Sequence, residues 1–232
     1  MDLAVADPIV KIILLRSLGK DFCTGLDLEF IESDCIALQT AVELYAGILK
    51  KIHAAPKVVI AVINGAVKGG GVGLISACDI IVATDESTFQ MPEVLFGIIP
   101  ANVIPFLVCR RISMQKVRYL ILTASKISAK EALAIGLIDE VHSKEDLEKK
   151  TKSIIKRLFK ANPQALNLAK SFTEQVWGKE INIASDLAKE ALLDIIQKPE
   201  VKKGITSFNE GKVPEWFSLF KASDSITGLK YE

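Results

Sequence analysis

The residues in this chain best suited to chemistry are three consecutive glycines, Gly69, Gly70 and Gly71, which open an apolar segment running to Ala77. Glycine lets a backbone approach a ligand closely, and the first N–H groups of the helix that this segment predicts lack intrahelical partners. Such N–H groups, with the positive end of the helix dipole, suit a negative charge that develops during a reaction. A glycine cluster also serves tight packing of helix on strand, so by itself it leaves both readings open. It is not a phosphate loop: no Gly-Lys-Ser/Thr follows, and G-x-G-x-x-G is not satisfied. The histidines, His53 and His142, lie beside predicted helix or strand ends, where a surface or packing role is the simpler reading. There is no G-x-S-x-G elbow for a serine hydrolase and no cluster of zinc ligands. A carboxylate is therefore the expected acid–base group.

The elements that must position these groups follow from apolar patterning. Val10–Leu15 is apolar except for Lys11 and reads as a largely buried strand, broken by Ser17–Lys20. Leu38–His53 has helical spacing and ends before Pro56; Val58–Ile63 is a second buried strand, with Asn64-Gly65 as the turn after it. Ile80–Ala83 predicts a third strand and Thr88–Phe89 a short fourth. Strands alternating with helices are the pattern of an α/β sheet with crossover connections. From Ser113 onward the chain is mostly helical: Met114–Thr123, then Ser128–Ile135, with Ser128 and Glu131 spaced as a capping box and Gly136 as the stop. Lys144–Trp177, interrupted at Pro163, and Ile181–Gln197 add amphipathic helices. One main domain with a helical C-terminal extension fits this order, the core over 1–142 and the helical region over 143–232.

Composition bounds the functional class. Half of the 232 residues are hydrophobic and 25% are charged, as in a globular chain with a sizeable core. Lys+Arg 29 against Asp+Glu 28 leaves a formal charge of +1, without the basic excess of a nucleic-acid footprint. No apolar run reaches the length of a membrane span, and the N-terminus does not read as a signal peptide. Cys23, Cys35, Cys78 and Cys109 are far apart and form no C-x-x-C pair, which suits reduced thiols and a cytoplasmic location.

Several segments resemble one family. Gly19-Lys20-Asp21-Phe22-Cys23-Thr24-Gly25-Leu26-Asp27-Leu28 is similar to the "GKAFCAGADL" segment of the crotonase (enoyl-CoA hydratase/isomerase) superfamily. Val62 to Gly71 resembles its "VNGxAxGGG" stretch, Cys78-Asp79 its "ACD", and Phe89 to Pro100 its "FxxPExxxGxxP". Leu122-Thr123, Ser128 to Ala132 and Gly136 to Val141 resemble "LTG…SAxEAxxxGLVxxV", and Pro199 to Phe208 the C-terminal "sxDxxEGixAF". The match runs in order over nearly the whole chain. Met1–Pro8 resembles the end of the family's first helix, so the strand pair and most of the helix preceding it in the family are expected to be missing here.

The resemblance implies the crotonase fold, a spiral of ββα units with a helical C-terminal region that serves trimerisation, and a homotrimer or hexamer. It implies an oxyanion hole made by the backbone N–H groups of Leu26 and Gly70, which would polarise a thioester carbonyl and stabilise an enolate. Cys23, Thr24, Asp27 and Leu28 would lie along the arm of the substrate, carried on the phosphopantetheine of CoA or of an acyl carrier protein; Asp27 is more simply a loop brace. No metal and no redox cofactor are implied. Family hydratases carry two glutamates. One position is Gly73 here, and the other is Glu93, the expected catalytic carboxylate. One carboxylate suits isomerisation or syn-elimination better than hydration, which is helped by two groups.

The stretch from Glu93 to Arg110 lacks the hydratases' "PGAGGTQRL" and resembles the "E-x-L-F-G-L-x-P-A-x-V-x-P-F-L-x-x-R" of polyketide-pathway crotonases that install β-branches. Among those, Gly73 with this loop resembles the dehydrating member, which converts 3-hydroxy-3-methylglutaryl on a carrier protein to 3-methylglutaconyl. The decarboxylating member has a different loop and is the second choice in that set. Such a substrate brings a carboxylate, for which Lys68 and Arg110-Arg111 are candidates beside a plain structural role. An enoyl-CoA hydratase or Δ3,Δ2-isomerase remains the alternative, and a crotonase-like binding or scaffold protein the non-enzymatic one.

Overall fold

A computed structural model describes residues 1–27 and 35–217. In chain order these form α1 (Asp2–Ala6), β1 (Ile12–Arg16), α2 (Cys35–His53), β2 (Val58–Ile63), β3 (Ala66–Lys68), α3 (Gly70–Ala77), β4 (Ile80–Thr84) and β5 (Thr88–Gln90). A 3-10 turn follows at Glu93–Phe96, then α4 (Ile104–Arg110), α5 (Met114–Thr123), β6 (Ile127–Ser128), α6 (Ala129–Ala134), β7 (Glu140–His142) and α7 (Lys144–Leu158). The remaining helices are α8 (Pro163–Val176), α9 (Ile181–Gln197) and α10 (Pro199–Asn209). The chain divides into two compact units, Met1–Ser153 and Ile154–Glu232, with the boundary inside α7.

The first unit is built on a parallel sheet of order β1-β2-β4-β7 and a smaller sheet of order β3-β5-β6. β2 reads Val-Val-Ile-Ala-Val-Ile, and all of it is buried. A strand flanked on both sides and covered on both faces has no position left for a polar residue, which explains the unbroken apolar run. Its partners are set by register: Leu14 faces Ile60 on one side and Ile80 faces Ile60 on the other. Leu49 and Ile52 of α2, Val72 and Ile75 of α3, and Val103 and Leu107 at α4 pack into the same core.

The expected helices and strands are present, the short strand at Thr88–Phe89 among them as β5; the strands β3, β6 and β7 are additional. Asn64-Gly65 is a turn, as expected, but it leads into β3, a three-residue strand that pairs parallel with β5. The capping box at α6 is formed: the Ser128 N–H donates to Glu131 Oε2 at 2.8 Å and the Glu131 N–H to Ser128 Oγ at 3.3 Å. Two hydrogen bonds donated to Glu131 Oε2 by the Ser128 N–H and hydroxyl hold the Glu131 carboxyl below its ordinary range.

The second unit is helical. Asn162 caps α8 by accepting from the Gln164 and Ala165 N–H groups, with Pro163 at the first helical position. Leu168, Ile195, Val201, Ile205 and Trp216 line an apolar cleft between α8, α9 and α10.

Candidate active site

The loop before Leu26 is held on β3 by its backbone and two side chains. The Phe22 and Cys23 N–H groups both donate to the Ala66 carbonyl, at 3.0 and 3.2 Å, and the Lys68 N–H donates to the Cys23 carbonyl at 2.8 Å. Asp21 Oδ1 accepts from the Ala66 N–H at 2.8 Å, while Asn64 Nδ2 donates to the Gly19 carbonyl at 2.7 Å. At Gly65 the backbone has φ +65°, and a Cβ there would overlap the Lys20 carbonyl oxygen, so only glycine lets turn and loop meet. Asp21 and Asn64 are bracing residues that sequence reasoning passed over; their signal was adjacency to the Gly-Lys and Asn-Gly turns.

Gly25, with φ +99°, then packs on the backbone of β3: a Cβ on it would sit 3.4 Å from the Lys68 carbonyl oxygen and 3.8 Å from Gly69 Cα. One residue further along each strand come Leu26 and Gly70. The Gly70 N–H opens α3, where no intrahelical acceptor exists, and the Leu26 N–H donates to no backbone acceptor among the described residues. Two backbone donors of adjoining segments are thus left without a backbone acceptor among the described residues. Leu26, Thr24 and Asp27 are exposed, Cys23 is half-buried with Sγ 3.1 Å from where a Cβ on Gly71 would lie, and Leu28 lies outside the described residues.

Glu93 arrives by the register of the small sheet. Lys68 faces Gln90 across β3 and β5, so the chain leaving β5 passes Met91-Pro92 and enters the 3-10 turn beside the glycines. Gly97, in the left-handed region at φ 75°, closes that turn. Glu93 Oε1 lies 3.0 Å from where a Cβ on Gly69 would sit, and Oε2 is shut off from solvent with no hydrogen-bond partner among the described residues. Burial pushes the Glu93 carboxyl above its ordinary range, and its own backbone N–H offsets only part of this. A carboxylate that is desolvated and short of partners is suited to take and return a proton.

The position without a second carboxylate is filled. A Cβ on Gly73 would overlap the Tyr45 hydroxyl, which reaches in from α2 and donates to the Gly70 carbonyl at 2.6 Å. Burial above all, with Cys23 and Glu93 nearby, holds the Tyr45 phenol protonated far above its usual range. Nothing in the sequence around Tyr45 marked it, because its partners lie 25 and 28 residues away.

Other candidates are employed elsewhere. Arg110 donates to the Ala77 carbonyl at 3.2 Å, lies 3.8 Å from Asp79 and contacts His53 Nδ1. Arg111 donates to the Cys78 carbonyl and pairs with Asp139 at 3.1 Å. Both therefore tie down the C-terminal end of α3, about 10 Å along the helix from Gly70. Of the cations considered for a substrate carboxylate, Lys68 is the one beside the glycines. His53 packs edge-on against Phe106, and His142 contacts Glu140 at 2.8 Å. Among the described residues there is no group of His, Cys, Asp or Glu that could hold a metal, and no helix long and apolar enough to cross a membrane.

Known proteins resemble this chain over most of its length. The model of the Enoyl-CoA hydratase/isomerase family matches residues 3–218. The bacillaene synthase dehydratase PksH of Bacillus subtilis (strain 168) is 31% identical over 209 residues, covering 88% of this chain and 79% of that protein. The mitochondrial enoyl-CoA hydratase domain-containing protein 3 of Danio rerio is 30% identical over 215 residues, covering 90% and 73%. A solved crotonase-type enoyl-CoA hydratase/isomerase structure from Legionella pneumophila superposes with a TM-score of 0.86 at 26% identity, covering 93% of this chain and 85% of that one. The chain has the crotonase fold and is an enzyme of the enoyl-CoA hydratase/isomerase family.

Proposed function

We propose that this enzyme dehydrates a 3-hydroxyacyl thioester, with 3-hydroxy-3-methylglutaryl on an acyl carrier protein as the substrate and 3-methylglutaconyl as the product, in polyketide β-branching. The observation that carries this reading is the single carboxylate: Glu93 lies over the triple glycine, and the Gly73 corner holds a neutral phenol instead of a second acid. The thioester oxygen takes hydrogen bonds from the Leu26 and Gly70 N–H groups. Glu93 removes the α-proton, and the electron pair becomes the enolate. As the enolate collapses, Cα=Cβ forms, the Cβ–O bond breaks, and the leaving hydroxide takes the proton from Glu93 to depart as water. Glu93 is again a carboxylate, and no other acid or base is required.

Two stabilising N–H groups and one positioned base account for most of the barrier lowering such sites achieve. Lys68 is assigned to the free carboxylate of the substrate, and the phosphopantetheine arm to the loop from Phe22 to Leu28. The dehydratase among the relatives supports dehydration as the reaction. Exposed apolar side chains on the helical unit, including Ile181, Leu192 and Phe208, support self-association as a homotrimer or a hexamer. A second reading, hydration of an enoyl-CoA, is favoured by relatives named as hydratases.

Incubation with 3-hydroxy-3-methylglutaryl carrier protein, and separately with crotonyl-CoA, distinguishes the two. Intact-protein mass spectrometry is expected to show loss of one water from the first. An unchanged carrier protein together with hydration of crotonyl-CoA would overturn the proposal in favour of the second reading.

A further inference from the structure

We infer that Tyr45 is the positioning residue of the oxyanion hole, and that with Gly73 it forms a matched pair that keeps this site to a single carboxylate. The inference rests on the enolate chemistry proposed above and adds a residue that the mechanism does not otherwise need.

The geometry makes the case from two sides. The Tyr45 hydroxyl donates to the Gly70 carbonyl at 2.6 Å, and the ring lies against the same residue: a Cβ on Gly70 would meet Cζ and the hydroxyl oxygen at 3.3 Å. Gly70 has no side chain to set its orientation, and it begins a helix, where backbone groups are least constrained. Clamping its carbonyl from α2 fixes the residue whose N–H must point at the thioester oxygen. Preorganised donors are effective because they need no reorientation during the reaction.

The same hydroxyl takes the room of any side chain at 73. A Cβ there would overlap it, and would also lie 3.0 Å from Val103 Cγ2. Once the hydroxyl is removed the ring Cζ stands at 3.4 Å, an ordinary contact, and the remaining tight neighbour is the Val103 methyl, which has to give by a few tenths of an ångström. A glutamate at 73 and a tyrosine at 45 are therefore alternatives. The phenol brings no second base, since its one proton is committed to Gly70 and burial keeps it in place. Choosing tyrosine removes the group that would activate water for addition.

The test uses exchange of the α-protons of butyryl-CoA in deuterated buffer, followed by mass spectrometry. Exchange needs Glu93 and the oxyanion hole but no β-hydroxyl, so it is independent of which acyl group is natural. Tyr45→Phe is expected to lower the exchange kcat about five- to tenfold with KM changed less than about twofold, as for loss of one positioning hydrogen bond. Gly73→Ala is expected to lower it by about tenfold or more in the wild-type background, because the new Cβ pushes the hydroxyl off Gly70. In the Tyr45→Phe background the same change is expected to cost clearly less, about threefold or under, the remainder coming from the Val103 contact.

Melting curves verify that each variant is folded. Wild-type exchange that Tyr45→Phe leaves intact, or equal effects of Gly73→Ala in both backgrounds, overturns the role of Tyr45 alone. Absence of exchange in the wild type overturns the enolate reading and this inference with it. If Tyr45→Phe does not fold, Gly73→Ala decides alone, and unchanged exchange in it refutes the pair.

Discussion

Replacing Glu93 with glutamine is expected to remove activity and to make the protein more stable, but only above acidic pH. Glu93 Oε2 is buried without a partner, and burial raises the carboxyl above its ordinary range. A group whose pKa is higher in the fold than in the unfolded chain binds its proton more tightly when folded. Its contribution is most favourable below the unfolded value, near 4.5, and is lost as pH rises through the folded value. At about pH 8, well above the unfolded value, the fold therefore holds this carboxyl at a cost, and an unsatisfied buried acceptor costs roughly 1–3 kcal/mol. The glutamine amide is neutral and of nearly equal volume, yet it too lacks partners, so only part of that cost is relieved. The expected net gain is about 1 kcal/mol at pH 8, or roughly 2–4 °C in Tm for a chain of this length. At about pH 4 both side chains are neutral and the gain should vanish. Urea denaturation at the two pH values measures it, while turnover should fall by about 10²–10⁴-fold. Equal stability differences at both pH values, or a less stable variant at pH 8, would refute the claim that the fold holds this carboxylate at a cost.

Two further substitutions probe the scaffold. Gly65→Ala places a Cβ on the Lys20 carbonyl at φ +65°, which should cost at least about 2 kcal/mol and lower Tm by roughly 4–8 °C. Gly97→Ala, at φ +75° with nothing within 4 Å, carries the strain without the clash; an equal Tm loss in the two would show that the contact between turn and loop is immaterial. Ser128→Ala removes the cap of α6 and should cost about 1 kcal/mol by urea denaturation near neutral pH. The Glu131 carboxyl is held low by Ser128, so the box contributes above the ordinary carboxylate range and loses strength as pH falls through the lowered value. A deficit that does not narrow in acid would mean that the Ser128 hydroxyl alone forms the cap.

The buried strand Val58–Ile63, the helix Met114–Thr123 and the capping box were legible in the sequence because each is specified by local rules: an unbroken apolar run rich in β-branched residues, helical spacing, and Ser and Glu three residues apart. The strands Ala66–Lys68 and Ile127–Ser128 were not, since two or three residues are too few to show a period and their pairing depends on partners elsewhere in the chain. For Arg110 and Arg111 the sequence left two uses open. Packing decided between them by bringing the Ala77 and Cys78 carbonyls, Asp79 and Asp139 within reach.

The candidate site divides in the same way. Leu26, Gly70 and Glu93 could be named from sequence because the segments around them resemble motifs of the family, and the triple glycine by itself pointed to unpartnered N–H groups at a helix start. The sequence by itself also determined that position 73 carries no carboxylate. What occupies that corner only the tertiary structure decided: α2 packs on α3 and sends the Tyr45 hydroxyl onto Gly70 and Gly73. A residue that acts through distant neighbours leaves no local pattern, because its role is set by which helix face meets which, and that is a property of the packed core.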